Sequence, residues 1–454
     1  MSSTSSKIST ILKVYSKLKT LRERDHWNRN LVIAHQNESL RILRRHAYEH
    51  SPFYKKFHKG LENRPLDELP ILTKTTMMEN FDEVVTDPTL KLKDIEKHLT
   101  TLSGDEKYLK KYRVCATSGS TGQRGIFVFN NDEWITLLAS FARSHEWAGL
   151  KLSLTHRMKM ASVSSTAPWH TSARVGASLD SWWMPALRLA ASDPIESITS
   201  RLNEWQPEML IAYASIARIL AYEKSSGRLD IHPHLIFTSS EILTDETRAL
   251  IESAYGMKVF NQYAAAESGG LAAECTDHKG MHLYEDLAIV EVVNKENKPV
   301  RPGEFGDKIL LTVLYNYTQP LIRYELSDSI RLSTSSCTCC RSFLLVESIR
   351  GRMEEAIMLP SVSGAPVSVQ PIVFHKVMDT LPVRGWEVVQ NVDAIRVRIS
   401  GPRPDLDLNR TKESLEEALV SLGASTPTII IEVVDVIQRT VAGKAPLIKA
   451  YHPT

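Results

Sequence analysis

The chain lacks any apolar stretch long enough to cross a bilayer, which takes about 20 consecutive apolar residues, so no membrane-spanning helix is expected. It lacks an excess of charge: 55 Lys and Arg against 53 Asp and Glu leave +2. Nothing so balanced draws nucleic acid or an anionic membrane by its global field. Cysteine is scarce, with five in 454 residues, and there is no apolar core typical of a secretory signal. A disulfide scaffold is therefore excluded, and a reducing cytoplasm is the default compartment. Glycine and proline are not enriched, and no low-complexity tract or internal repeat stands out, which argues against fibrous and solenoid architectures.

What is present is the composition of a soluble globular protein, 43% hydrophobic and 24% charged, in a chain too long for one ordinary core. Two or more domains are expected. The segment from Met1 to Lys19 is rich in Ser and Lys and poor in acid, as transit peptides are. Ile8, Ile11, Leu12, Val14, Tyr15 and Leu18 nevertheless fit one helical face better.

The most informative stretch is Thr117-Ser118-Gly119-Ser120-Thr121-Gly122-Gln123-Arg124-Gly125. Glycines let backbone N–H groups approach an anion closely, and Ser and Thr hydroxyls donate further hydrogen bonds. Arg124 adds a fixed positive charge suited to phosphate. Ile126, Phe127, Val128 and Phe129 then read as a strand. Phosphate loops of the Walker A and dinucleotide types open a helix instead. The loop therefore reads as a phosphate grip between two strands, or, more plainly, as an ordinary Ser/Gly hairpin.

Residues 31–60 read as helix with Leu40, Leu43 and Ala47 on one side, followed by Pro52-Phe53-Tyr54. A further helix is expected around Trp134 to Trp147. The segment 158–185 begins like a buried strand and ends in small polar residues with Trp169 and His170, a mixture that suits either a pocket wall or an irregular surface turn. Residues 205–270 alternate strand and helix, which suggests βαβ units and a largely parallel sheet. After Gly351 the texture changes. Trp386 to Ile399 alternates like a strand, Thr411 to Leu422 reads as a helix stopped by Gly423, and Pro427 to Val434 is a strong β run. A separate small α+β domain is expected there, joined near Arg350-Gly351-Arg352.

Four more motifs follow the hydroxyl loop in order: Ser239-Ser240-Glu241-Ile242; Tyr263-Ala264-Ala265-Ala266-Glu267; Arg323-Tyr324-Glu325-Leu326-Ser327-Asp328; and Gly351-Arg352-Met353-Glu354-Glu355. Arg439-Thr440-Val441-Ala442-Gly443-Lys444-Ala445-Pro446 stands near the C-terminus. In this order and spacing the chain resembles the adenylate-forming superfamily of acyl-CoA synthetases and adenylation domains, and within it the phenylacetate-CoA ligases, from about residue 31 to the end. The resemblance implies an α/β fold: a large N-terminal α/β domain with mixed and parallel sheets, residues 1–351, which binds ATP and the acid, and a small mobile C-terminal α+β domain, residues 352–454.

It also implies a chemistry. A carboxylate attacks the α-phosphate of ATP, pyrophosphate leaves, and the acyl group passes from AMP to the thiol of coenzyme A. Positioning and charge neutralisation do most of such work. By resemblance, Ser118, Gly119, Ser120, Thr121 and Gly122 hold the β- and γ-phosphates. Arg124 stands where relatives often carry Lys. Glu267 matches a Mg2+ ligand, in keeping with the preference of a hard cation for carboxylate oxygen. Tyr263 and the segment holding Ser240 and Glu241 match the adenine and acyl-pocket wall, and Ala264 stands where Gly is common. Asp328 matches the acceptor of the ribose hydroxyls, although Leu326-Ser327 replaces the usual Thr-Gly, and Arg352 matches a ribose or phosphate contact. Glu354 takes the place of a hinge residue that is commonly Asp. Lys444 matches the catalytic lysine, which bridges carboxylate and α-phosphate and is withdrawn when the small domain rotates. Trp169, His170 and Tyr213 are candidate wall residues for an aryl or arylacetic acid.

Cysteines and histidines form two further short clusters: Cys275 with His278 and His282, and Cys337 with Cys339 and Cys340. Such clusters can close a tetrahedral zinc site. Some phenylacetate ligase relatives carry a structural zinc, and Cys275, His282, Cys337 and Cys339 match its ligands. His278 competes with His282, Cys340 is a spare or alternative thiol, and free buried cysteines are the plain alternative. Cys115 reads as core. The leading expectation is a cytoplasmic acid–thiol ligase using ATP, Mg2+, coenzyme A and a structural Zn2+, with small molecules as partners, no nucleic acid, and a homodimer left open. Transfer to an amine, a carrier protein or a coenzyme hydroxyl, and a non-catalytic nucleotide-binding protein, are the competing readings.

Overall fold

The computed structural model describes residues 2–117, 124–150, 157–352, 355–361, 364–391, 394–425, 428–439 and 448–449. The chain opens with two long helices, Ser2–Arg24 and Arg29–His50. The first buries Val14, Leu18 and Leu21, while Ile8, Leu12 and Tyr15 stay exposed. The expected apolar face is thus divided, and only its C-terminal half, extended by one turn, packs inward. The helix expected over 31–60 breaks at Ser51, which caps a new short helix, Pro52–Phe57. Proline lacks the N–H to continue a helix but suits its first position.

The hydroxyl loop joins two antiparallel strands, β1 (Arg113–Ala116) and β2 (Ile126–Phe129). The expected strand after the loop is therefore present. Helix Asn131–Trp147 follows, opened by a capping box of Asn130 and Glu133.

Five parallel strands come next: β3 (Met160–Ser164), β4 (Ala186–Ala190), β5 (Met209–Tyr213), β6 (Leu235–Ser239) and β7 (Phe260–Ala265). They lie side by side as β4-β3-β5-β6-β7. Helices Thr171–Leu179, Ile195–Trp205, Ala214–Ser225 and Asp245–Tyr255 make the crossovers. The strand period of two divides the side chains between the faces. Ala161, Val163, Leu210, Ala212 and Ile236 pack on one side with Ile198, Leu202 and Ile216. Met160, Met209, Phe237 and Phe260 pack on the other with Ala148 and Met158. Helix Thr171–Leu179 has no strong signal in the sequence, because Ser, Thr and Gly are weak helix formers.

The sheet then turns antiparallel through β8 (Gly269–Glu274) and β9 (Met281–Leu283). A separate three-stranded sheet holds β10 (Ala288–Val293), β11 (Lys308–Val313) and β12 (Tyr324–Leu326). β13 (Asp328–Leu332) and β14 (Leu345–Arg352) return to the first sheet, which has nine strands among the described residues.

From Ile357 onward the chain builds its own core around Phe374, Met378, Trp386, Val397 and Leu415. β15 (Ile357–Leu359) pairs with β16 (Val367–Val369). A four-stranded sheet follows, with β17 (Val383–Gln390), β18 (Ala394–Pro402), β19 (Thr428–Val434) and β20 (Ile448–Lys449) in the order β19-β18-β17-β20. The single strand expected from Trp386 to Ile399 is a hairpin, with Trp386 paired to Ile399. Helices Pro371–Met378 and Leu408–Val420 cover this sheet. A few polar contacts join this lobe to the rest. Arg218 donates to the carbonyls of Val383 and Leu381 at 3.1 and 2.8 Å, and Thr244 Oγ1 donates to Asp379 at 2.9 Å.

Candidate active site

The ends of β6 and β7, the start of β13, the end of β14 and the C-terminal lobe enclose a cleft of about 1290 Å³. Its polar centre is assembled from distant sequence. Asp328 and Arg352 face each other across β13 and β14. Arg352 Nε lies 3.6 Å from Asp328 Oδ1. On the other carboxylate oxygen, the Tyr263 hydroxyl donates at 2.9 Å. Burial, with the Asp328 charge beside it, pushes the Tyr263 phenol well above its ordinary range, so the hydroxyl stays a donor. Asp328 in turn keeps Arg352 firmly protonated.

Glu267 follows β7 and is 4% exposed. Burial pushes its carboxyl above the ordinary carboxylate range, against the pull of Arg352 and Lys74. A desolvated carboxylate of this kind gains most when a cation reaches it. Ser240 and Glu241 line the cleft after β6. Ser240 has φ +67°, a left-handed conformation costly for a residue with a Cβ, and Glu241 Oε2 accepts from Ser215 N at 2.9 Å, at the start of helix Ala214–Ser225.

Thr117 closes the base of the hydroxyl loop. Its Oγ1 accepts from Gly125 N at 2.8 Å, and its own N–H donates to Gly125 O. Thr117 lines the cleft, so the loop begins at its wall. Ser118, Gly119, Ser120, Thr121, Gly122, Glu354 and Lys444 lie outside the described residues. Arg124 is exposed, donates to Thr117 O at 3.3 Å and lies 4.1 Å over the Trp169 ring.

His170 and Ala264 line the cleft; Trp169 and Tyr213 are not among the described residues that do. Trp169 is taken up by Arg124, and Tyr213 is fully buried, with its hydroxyl accepting from Ser165 N at 3.0 Å. His170 caps helix Thr171–Leu179 through Nδ1.

No family model matches the chain. It is 24% identical over 357 residues to the phenylacetate-coenzyme A ligase of Thermus thermophilus, covering 76% of this chain and 75% of the relative. It is 26% identical to Protein CapK of Staphylococcus aureus, over 70% of this chain and 66% of the relative. The fold matches a crystal structure of 2-hydroxyisobutyryl-CoA ligase in the postadenylation state, in complex with R3-HIB-AMP. The TM-score is 0.74 at 18% identity, with 94% of this chain and 91% of that chain covered. The chain is similar to phenylacetate-CoA ligases, and it shares its fold with acyl-CoA ligases of the adenylate-forming type. Its α/β fold is that expected of this superfamily.

Two cleft residues, Lys74 and His145, carried no signal in the sequence, and a third, Arg439, was marked only as the start of the Lys444 segment. Lys74 sits at the start of helix Lys74–Glu79. Arg439, just before the Lys444 segment, reaches Ser215 Oγ at 3.3 Å. His145, on helix Asn131–Trp147, lines the cleft while 3% exposed.

Away from the cleft, Cys275, His282, Cys337 and Cys339 each bring one donor atom within 4.8 Å of the others. Cys275 Sγ is 3.7 Å from Cys337 Sγ, and Cys339 Sγ is 3.2 Å from His282 Nε2. His278 turns instead toward Glu274 and Phe260, and Cys340 is exposed. Burial holds the His282 imidazole down to about 4 and pushes the Cys337 thiol up to about 12. Two sulfur-rich segments converging with a neutral imidazole form a donor set suited to zinc. Cys115 is buried in the main core as expected.

Proposed function

We propose that the chain is an AMP-forming acid–thiol ligase. It joins a carboxylate to the α-phosphate of ATP, releasing pyrophosphate, and then transfers the acyl group from AMP to the thiol of coenzyme A. The observation that carries this reading is the convergence of Tyr263, Glu267, Asp328 and Arg352 on one cleft between the lobes.

Each group fits one task. Asp328 accepts from the two ribose hydroxyls, and Tyr263 and Arg352 hold its carboxylate in place. Tyr263 also offers a flat wall to the base, with Ser240 and Glu241 alongside. Ser118, Gly119, Ser120, Thr121 and Gly122 hold the β- and γ-phosphates, with Arg124 near the loop end. Glu267 is the acid for Mg2+; its desolvated carboxyl suits a hard cation, which when bound neutralises phosphate charge. Lys444 meets the attacking carboxylate and the α-phosphate, stabilising the charge that develops there. Residues 352–454 act as the lid that brings Lys444 in and takes it away; the separate core of this lobe around Phe374 and Trp386 supports such movement as a unit.

The acid is aryl or arylacetic, because Phe141, Val175, Leu179 and Ile211 give the cleft an apolar wall. Cys275, His282, Cys337 and Cys339 hold a structural zinc, which pins the loop before β9 to the segment before β14. The five free cysteines agree with a cytoplasmic setting.

Exchange of pyrophosphate into ATP, run across a panel of carboxylic acids with Lys444→Ala alongside, tests the reading. Acid-dependent exchange that falls by orders of magnitude in the variant is expected. Exchange untouched by the substitution removes Lys444 from adenylation. Thioester formation that needs coenzyme A separates this ligase from one using an amine, a carrier protein or a hydroxyl.

A further inference from the structure

One helix of the large domain meets the C-terminal lobe along a single face. Ser215, Arg218 and Tyr222 stand at positions i, i+3 and i+7 of helix Ala214–Ser225, a spacing that puts them on one side. All three touch the lobe. Arg439 donates to Ser215 Oγ at 3.3 Å. Arg218 donates to the carbonyls of Leu381 and Val383 at 2.8 and 3.1 Å. The Tyr222 hydroxyl donates to the same Leu381 carbonyl at 3.2 Å. Its ring lies 5.2 Å from the Arg218 guanidinium carbon and 4.7 Å from that of Arg403.

Arg218 is the centre of this contact. It is 3% exposed, and among the described residues its hydrogen-bond partners are the two carbonyls rather than a carboxylate. A buried guanidinium is costly unless its N–H groups are satisfied, and here the satisfying groups belong to the other lobe. Both carbonyls lie where the chain passes from helix Pro371–Met378 into β17. When the lobe turns they leave together, and Arg218 loses both bonds at once.

The lobe position that satisfies Arg218 is also the one that adenylation needs. Arg439 stands five residues before Lys444. The same arrangement brings it to Ser215, whose N–H donates to Glu241 in the cleft wall. The segment that carries Lys444 therefore enters the cleft when the Arg218 bonds are made.

We propose that Arg218 is a positioning residue of the ligase: its bonds to Leu381 and Val383 favour the adenylating arrangement of the lobes over the arrangement that transfers the acyl group. An interaction present in only one of two states shifts their equilibrium by its own free energy. Two bonds from a charged group are enough for a shift of at least about tenfold. Arg218 acts through the lobe that holds Lys444, not on the substrate. This inference rests on the ligase reading above and adds the residue that sets the balance between its two half-reactions.

The test uses the full chain as wild type, Arg218→Met and Tyr222→Phe. Acid-dependent pyrophosphate exchange reads adenylation. Thioester formation from coenzyme A and the supplied acyl-adenylate of the best acid in that exchange reads transfer. The ratio of the two rates follows the ratio of the two populations, wherever the equilibrium starts. In Arg218→Met the ratio of transfer to adenylation should rise at least about tenfold. Tyr222→Phe removes one neutral bond and should raise it by about twofold to fivefold. A variant that is merely less stable loses both activities together and leaves the ratio where it was. An unchanged or lower ratio in a folded Arg218→Met overturns the inference and leaves the ligase reading standing; should that variant not fold, the same result in Tyr222→Phe overturns it. A wild type whose exchange needs no carboxylic acid overturns both.

Discussion

Replacing Asp328 by alanine removes the carboxylate that the Tyr263 hydroxyl and Arg352 Nε both approach, at 2.9 and 3.6 Å. If this carboxylate holds the ribose, two hydrogen bonds to an ionised group are lost. Bonds of that kind contribute about 1.5–3 kcal/mol each. The loss of about 3–6 kcal/mol corresponds to about a 10²–10⁴-fold fall in kcat/KM for ATP, at 1.4 kcal/mol for each tenfold. Tyr263→Phe keeps the carboxylate and the ring and removes one orienting donor, at about 1 kcal/mol, or about fivefold. Pyrophosphate exchange at saturating acid measures both. A substrate change completes the cycle: 2′-deoxy-ATP drops one hydroxyl and should cost the wild type about 10–100-fold, but cost Asp328→Ala almost nothing, because the partner is already gone. A folded Asp328→Ala that exchanges within threefold of wild type, or that still discriminates against the deoxynucleotide as wild type does, refutes the assignment.

Three further outcomes are expected. Glu267 has its carboxyl pushed upward by burial, so the folded chain binds a proton that the unfolded chain releases, and stability falls as pH rises through that window, by at most about 1.4 kcal/mol per pH unit. Urea unfolding of Glu267→Gln should therefore show a variant more stable than wild type at pH 7–8 and equal to it near pH 4, while adenylation is lost; a variant no more stable at neutral pH counts against the desolvated carboxylate. Arg143 is fully buried between Asp25 and Asp286, bonded at 2.8 and 2.7 Å and ringed by Trp147, Tyr284 and Phe343; Arg143→Met strands two buried carboxylates and should cost about 3–5 kcal/mol by the same measurement, and a loss below about 1 kcal/mol would mean that water reaches the pair. Elemental analysis should find about one zinc per chain, lost with thermal stability when Cys337 and Cys339 become serine; metal-free protein that is fully folded discards the site.

Much of this was legible because it is local. The apolar run Ile126 to Phe129 became β2, and the strand–helix rhythm of residues 205–270 became parallel strands, since periodicity follows directly from which face is buried. The hairpin of β17 and β18 was not legible as two strands. Its alternation continues through Asn391, whose N–H simply donates to Ala394 O across the turn. The N-terminal helix was legible, but not which half of its apolar face would be covered, because that depends on where helix Asn131–Trp147 ends and thus on the neighbour.

The choice between His278 and His282 likewise needed the pairing of β8 with β9, which carries His282 toward Cys339. No pattern could announce that Lys74 lines the cleft while Trp169 and Tyr213 do not. Residue types and their order were enough, through a family resemblance, to mark Asp328, Glu267, the hydroxyl-rich loop and Lys444 as candidates. What only the tertiary structure decided was the company each one keeps: Tyr263 on Asp328 from 65 positions away, and the buried His145 ring against Phe237. Such pairings are set by strand register and packing between distant segments, which no local stretch of sequence encodes.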